Sequence, residues 1–377
     1  MRRHGRPRIC IAHQTVWIGD AIGNDILGTY KLLATCGYEV TILGQYVHPE
    51  IASRCRVISN VESAEITLDH DLLLYHHSLH WPRGESLIES FSGPVVMKYH
   101  NITPAHYFAP YYEDYRAQCE QGRTQTARLA ALAKIVRWQS DSSYNAGEIR
   151  ELGVSDANLG VVPPFNRIDQ LFRERRTATY GLEGPFMALF VGRRAPNKGH
   201  AHILRTLAAW RDLFPEMELR CRIVGSPDPH LSPYYRELEA LESELGLEGR
   251  VEWLQHISNA ELESIFRSSH IYLNLSEHEG FCVPLIEAQA LGMPIITTGV
   301  TALGETAGGQ QVVVPVPGGQ ADYDVIAGLA REMCVSPQLR ETFVQAGFRN
   351  VFYRFASQAI EARFLEDLAP VLESLEA

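Results

Sequence analysis

The sequence has no apolar run approaching the roughly 20 residues that cross a bilayer. It also lacks a low-complexity tract and any tandem repeat of the kind that builds solenoids. It has no surplus of positive charge: the formal charge is −11, which argues against a general nucleic-acid binder. The deficit is uneven. Residues 1–165 carry 15 Lys/Arg against 17 Asp/Glu, and the remainder carries 19 against 28, so the front half approaches an anionic surface more easily. The seven cysteines, at 10, 36, 55, 119, 221, 282 and 334, are odd in number, and none stand at metal-ligand or redox spacing. They read as core thiols of a reducing compartment. "MRRHGRPRICIAHQ" opens basic, but its apolar stretch is only Ile9–Ala12 and no small-residue cleavage site follows. Ile9 onward therefore reads as a first strand, and the expected location is cytoplasmic.

What is present is an ordinary globular composition, 45% hydrophobic and 21% charged, spread over 377 residues. That is too long for one core, so two domains are expected. Short apolar runs alternate with longer helix-like stretches, the signature of a parallel α/β sheet. In the front half the strands are expected at 8–14, 38–44, 71–78, 94–100, 133–140 and 158–163. "AIGNDILGTYKLLATCGY" between the first two is an amphipathic helix with Ile26, Tyr30 and Leu33 at helical spacing. The pattern restarts at "PFMALFVG" (185–192), with strands at 218–225, 251–255, 270–276 and 293–299. Ser258 and Glu261 form a capping box ahead of one helix. Two successive βα series suggest two Rossmann-like halves, 1–165 and 170–355, joined at the proline-rich "PPFNRID". A last helix fills 356–377 with no strand after it.

Ligands of open parallel sheets bind beyond the carboxyl ends of the strands. "FVGRRAPNKGH" places Gly192, Arg193 and Lys198 directly after a strand, where two cations can neutralise a diphosphate. The spacing of a Walker P-loop is absent. "SEHEGFCVPLIEAQALGMP" puts Glu279 just before a helix and Glu287 in its expected first turn. Pro284 suits the first helical position, so the amides of Phe281, Cys282 and Val283 face outward as an anion site. A carboxylate beside such a site is favourable when it accepts bonds from neutral hydroxyls. Two of them flanking one anion site suggest sugar hydroxyls on both sides of a phosphate, the order found in a nucleotide-sugar.

"VGRRAPNKG" and "HIYLNLSEHEGFCVPLIEAQALGMPII", with the spacing between them, resemble the C-terminal half of a family-4 retaining glycosyltransferase. The resemblance implies a GT-B fold, α/β, with two Rossmann-like domains whose parallel sheets face across a cleft. The front domain would take the acceptor and the back domain the donor, with the last helix crossing back to the front. It implies that Glu279 and Gly280 meet the donor hexose, Glu287 the ribose, and Arg193 and Lys198 the diphosphate. The base and sugar of the donor would be set by contacts after Gly225 and around Leu254–His256, which no motif decodes, and Gly23 and Asn24 would sit in a glycine-rich first loop near the phosphates. His100, at the end of "VVMKYH", would orient the sugar. The family usually has glycine where this chain has Cys282. The implied reaction moves a hexosyl unit from a UDP-sugar, or next from GDP-mannose, to a glycan or lipid-linked oligosaccharide with retention and without a metal cofactor. A retaining hydrolase using the two glutamates leaves Arg193 and Lys198 unexplained. An epimerase of the same fold and a non-catalytic GT-B module are the alternatives.

Other candidates read as structural. "YHHSLH" offers His76, His77 and His80 without a clear fourth zinc ligand or tight pairing. "DHD" (69–71) precedes its strand, at the wrong end for a ligand. Arg116, Arg123, Arg128 and Lys134 on an amphipathic stretch from Tyr111 form a solvated face, or else a dock for anionic lipid at the inner membrane face.

Overall fold

The computed structural model describes residues 6–59, 69–172 and 184–376. The basic start of the chain, 1–5, lies outside the described residues. The chain divides into two compact units. One contains 1–104, 117–166 and 357–377; the other contains 105–116 and 167–356.

The first unit is built on a seven-stranded parallel sheet. Its order is Val57–Ile58, Glu39–Leu43, Arg8–Ala12, Leu72–His77, Val95–Tyr99, Ile135–Ser140 and Leu159–Val161. The strands read as unbroken apolar runs because both faces are covered; all six residues of Leu72–His77 are buried. Strand order reverses between Arg8–Ala12 and Leu72–His77, which opens a crevice beyond their carboxyl ends. The final helix, Ser357–Glu376, lays Ile360, Phe364 and Leu368 into this unit's core. Phe364 packs on Phe165 at 5.9 Å, and Asp367 accepts from Arg137 and, at 2.9 Å, from Gln139.

The second unit has a six-stranded parallel sheet in the order Val251–Leu254, Leu219–Val224, Phe186–Val191, Ile271–Asn274, Ile295–Thr298 and Val312–Val314. Its order reverses between Phe186–Val191 and Ile271–Asn274, so the loops after these two strands occupy the switch point. Residues 105–116 form an aromatic strap on this unit. Tyr111 donates to Glu237 at 2.8 Å, and Tyr112 stacks on His230 at 4.6 Å.

The strands missed in the sequence are Val57–Ile58, Val312–Val314 and a two-stranded pairing of Thr15–Val16 with Tyr46–Val47. Elements of two or three residues have no period to read. The basic stretch after Tyr111 is mostly the helix Glu113–Ala130, and its cations are occupied. Arg116 pairs with Glu113, Arg123 with Glu148 and Arg128 with Glu85, while Lys134 donates to the carbonyls of Ile88, Glu89 and Phe91. Asp69 and Asp71 pair with Arg8 at the amino end of the sheet. No described helix is long and apolar enough to cross a membrane.

Candidate functional site

In the second unit, Lys198 and Glu279 come from the two loops at the switch point and meet. Lys198 Nζ lies 2.6 Å from Glu279 Oε2, while Ser276 Oγ donates to Glu279 Oε1 at 3.0 Å. Both side chains are largely buried. Local geometry explains the precision of this contact. The chain after Val191 makes a short 3-10 turn, Pro196–Lys198, and leaves it through Gly199 at φ +65°. A β-carbon on Gly199 would stand 1.9 Å from the Leu275 carbonyl oxygen, so only glycine lets the two loops approach. Buried Asn197 ties them together. Its carbonyl accepts from the Glu277 amide at 2.9 Å, and its side chain donates to the His278 carbonyl at 2.9 Å. Thr301, at φ +52°, accepts from the Glu279 amide at 3.0 Å.

Arg193 leaves the same loop, and its guanidinium donates to the Tyr115 hydroxyl at 2.9 Å. Gly192 and Gly225 lie side by side, since a β-carbon on Gly225 would stand 1.9 Å from the Gly192 carbonyl oxygen. The Gly225 amide donates to the Leu254 carbonyl at 2.9 Å, so these three expected donor-side residues share one end of the sheet. The positive φ of His256, +55°, turns the chain sharply after them.

The helix after Glu279 runs Val283–Ala290, with Pro284 second rather than first and no side-chain cap at Cys282. In its first turn Pro284 has no amide to give, and the Leu285 amide donates to the Cys282 carbonyl at 3.2 Å. Glu287 therefore stands past the first turn, not within it, and is only 6% exposed. Burial pushes its carboxyl above the usual carboxylate range, opposed by Arg167, whose Nε lies 2.6 Å from Glu287 Oε1. Arg167 was missed in the sequence, where it sits in an apparent linker with no motif around it. Cys282 occupies the left-handed region at φ +83°, which favours glycine. Its sulfur accepts from Asn274 at 3.2 Å, and burial with the charge of Glu279 pushes the thiol up to about 12. Phe281 is buried edge-on to Phe355 at 5.3 Å.

The remaining expected residues lie in the first unit. Gly23 and Asn24 are not in a loop. They stand in the first turn of the helix Ala21–Thr35, where their amides donate to Asp20. A β-carbon on Gly23 would run into the Trp17 carbonyl, which is why glycine is there. His100 follows its strand as expected, but both ring nitrogens are engaged. Nδ1 lies 2.8 Å from Asp141 Oδ2 and Nε2 lies 2.9 Å from His76 Nδ1. Lys98 reaches the other oxygen of Asp141 at 2.9 Å. Burial works against ionisation of Asp141, yet His100 and Lys98 hold its carboxyl below the usual range. Asp25 is shifted the opposite way, mainly by burial. The three histidines of "YHHSLH" do not converge. His77 turns to Thr126 at 2.8 Å and His80 is half-exposed, while His76 joins His100. Asp25 and Asp141 had no signal in the sequence, because only the tertiary fold brings them to these strand ends.

Comparison with known proteins bears on the family and the fold. Residues 173–348 match the family described as glycosyl transferases group 1. The D-inositol 3-phosphate glycosyltransferase of Corynebacterium efficiens is 28% identical over 340 residues, covering 76% of each chain. The protein of the same name from Corynebacterium glutamicum is 35% identical over 133 residues, 35% of this chain and 31% of that one. The latter match spans about a third of the relative's length. HepE of Anabaena, solved in complex with UDP-glucose, has the same fold at TM-score 0.75 and 15% identity, over 97% of this chain and 100% of that one. The fold is GT-B, α/β, with two domains carrying parallel sheets.

Proposed function

From the group 1 glycosyl transferase domain carried by residues 173–348, we propose that the chain transfers a hexosyl unit from a nucleoside-diphosphate sugar to an acceptor hydroxyl, with retention at the anomeric carbon. The observation that carries this reading is the Lys198–Glu279 pair at the switch point. An ammonium ion suits a diphosphate, and a carboxylate suits sugar hydroxyls. In the absence of ligand each neutralises the other, and a nucleotide-sugar satisfies both at once. Arg193, released from Tyr115, adds a second cation to the departing diphosphate, whose growing charge these groups stabilise by preorganised electrostatics. Arg167 favours the carboxylate form of Glu287, which would accept from the ribose hydroxyls, and the amides before Pro284 add donors at the phosphate.

In the retaining step, the bond from the anomeric carbon to the diphosphate breaks as the acceptor oxygen bonds to the same face. The departing phosphate oxygen takes the acceptor's proton. Two protein cations at the diphosphate leave no role there for Mg²⁺. UDP-glucose in the complex of the similar HepE favours a UDP-sugar as donor, with GDP-mannose next. A glycan or lipid-linked saccharide is the acceptor proposed, on the resemblance to enzymes of polysaccharide synthesis.

A thermal-shift panel of UDP, GDP, ADP and their sugar conjugates, with and without Mg²⁺, tests the donor site. A ligand that binds only the folded state raises the melting temperature. A shift with UDP that ignores Mg²⁺ and is lost in Lys198→Ala is expected. No shift with any nucleotide would overturn the reading, and an inverted anomer in the product would overturn retention.

A further inference from the structure

We propose that Asp25, His76 and His100 of the first unit form a binding site for one divalent cation of the zinc class. The three residues gather at the carboxyl end of the sheet beside its switch point, the end where open α/β sheets place their ligands. Asp25 comes from the helix Ala21–Thr35, His76 from Leu72–His77, and His100 follows Val95–Tyr99. The proposal does not use the Lys198–Glu279 pair of the second unit.

The geometry is that of a ligand triad. His76 Nδ1 and His100 Nε2 lie 2.9 Å apart, and Asp25 Oδ2 lies 3.7 Å from the first and 3.8 Å from the second. Three points so spaced lie on a circle of radius about 2 Å, which matches the lengths of zinc bonds to imidazole nitrogen and carboxylate oxygen. Two imidazoles and one carboxylate are a donor set typical of zinc and of non-haem iron. Two ring nitrogens facing each other can share only one proton, whereas a cation uses both lone pairs.

A second observation points to the same place. Asp25 is 1% exposed, and its Oδ2 has no hydrogen-bond partner among the described residues. Its other oxygen is fixed by the Phe165 amide at 2.7 Å, so the orphaned atom is held toward the histidines. The buried ammonium of Lys98 pairs with Asp141 and not with Asp25. The outer contacts are those of a metal site as well. Asp141 accepts from His100 Nδ1, which fixes the tautomer with the Nε2 lone pair turned inward. Three protein ligands leave one position open to an oxygen of solvent or substrate.

The test is metal uptake by the intact protein. After exhaustive treatment with chelator, the chain is titrated with Zn²⁺ by calorimetry, and with Co²⁺ by the visible absorption of a tetrahedral complex. One equivalent with a rise in melting temperature is expected from the parent. Asp25→Asn keeps the bond to Phe165 and should lose the equivalent and the Co²⁺ band, while Lys198→Ala should retain both. A parent chain that takes up neither ion, or an Asp25→Asn variant that takes up as much as the parent, overturns the proposal. Should Asp25→Asn fail to fold, the parent titration decides alone. Loss of nucleotide binding with intact uptake would count against the donor reading only.

Discussion

At Glu279, one carboxylate meets Lys198 and Ser276 and, in the proposed reaction, the hydroxyls of the sugar. If the proposed reaction holds, Glu279→Ala removes an acceptor for the sugar hydroxyls, and kcat should fall by about 10²–10³-fold. UDP alone should still shift the melting temperature, because its phosphates meet Lys198. Initial rates set beside a UDP thermal shift separate the two contributions. Cys282 tests the backbone rather than the chemistry. At φ +83° a β-branched side chain is strongly disfavoured, and Cys282→Val should cost about 2 kcal/mol or more in denaturant unfolding. Cys282→Gly fits the turn and should fall within about 1 kcal/mol of the parent, strain relief offsetting lost contact and chain entropy.

The same thiol links stability to pH. Its folded value of about 12 stands above the ordinary 9.0, and Cys10 is likewise raised to about 12 by burial. Above pH 9 the unfolded chain releases protons that the folded chain keeps, so stability is present below that point and is lost as pH rises toward 12. The urea midpoint should decline across that window. Iodoacetamide on the native chain should mark half-exposed Cys36 and Cys55 and spare buried Cys10, Cys221 and Cys282.

Between residues, the loops after the strands carry the specificity of the fold. Gly199→Ala would force a β-carbon into the Leu275 carbonyl at a left-handed φ. It should destabilise the protein by at least about 2 kcal/mol and abolish the UDP shift along with it. The strands were legible because both faces of a parallel sheet are buried, which makes each strand an apolar run bounded by turn residues. The post-strand glycines and the Lys198 and Glu279 positions were legible for the same reason, since a strand end fixes where a loop begins. Arg167 beside Glu287 was not, nor were Asp25 and Asp141 beside His76 and His100. Pairing across scores of residues leaves no local period, and a lone acid or cation in a loop looks like solvated surface. The family resemblance put Gly23 in a loop, whereas it opens a helix, where close approach of the Trp17 carbonyl demands glycine.

On the scale of the molecule, each unit has its own sheet and core, and the first is closed by a helix that arrives last in the chain. Breaking the tie between that helix and the sheet should be costly. Asp367→Ala leaves the mostly buried Arg137 without its carboxylate, with side-chain exposure of 21% for the arginine and 8% for the acid. A loss of about 2–3 kcal/mol is expected, at or below the low end for a broken buried pair because the arginine keeps some solvent. Calorimetry should show it as a lower melting temperature. The interleaving of segments also sets an order of manufacture. Domains generally fold as they leave the ribosome, the earliest first. Here the second unit is complete once residue 356 has emerged, while the first still awaits 357–376. Of the two units, the one whose chain emerges first is therefore the one completed later. Its uncovered sheet, with the seats for Ile360, Phe364 and Leu368 still bare, is the surface a nascent-chain chaperone would meet.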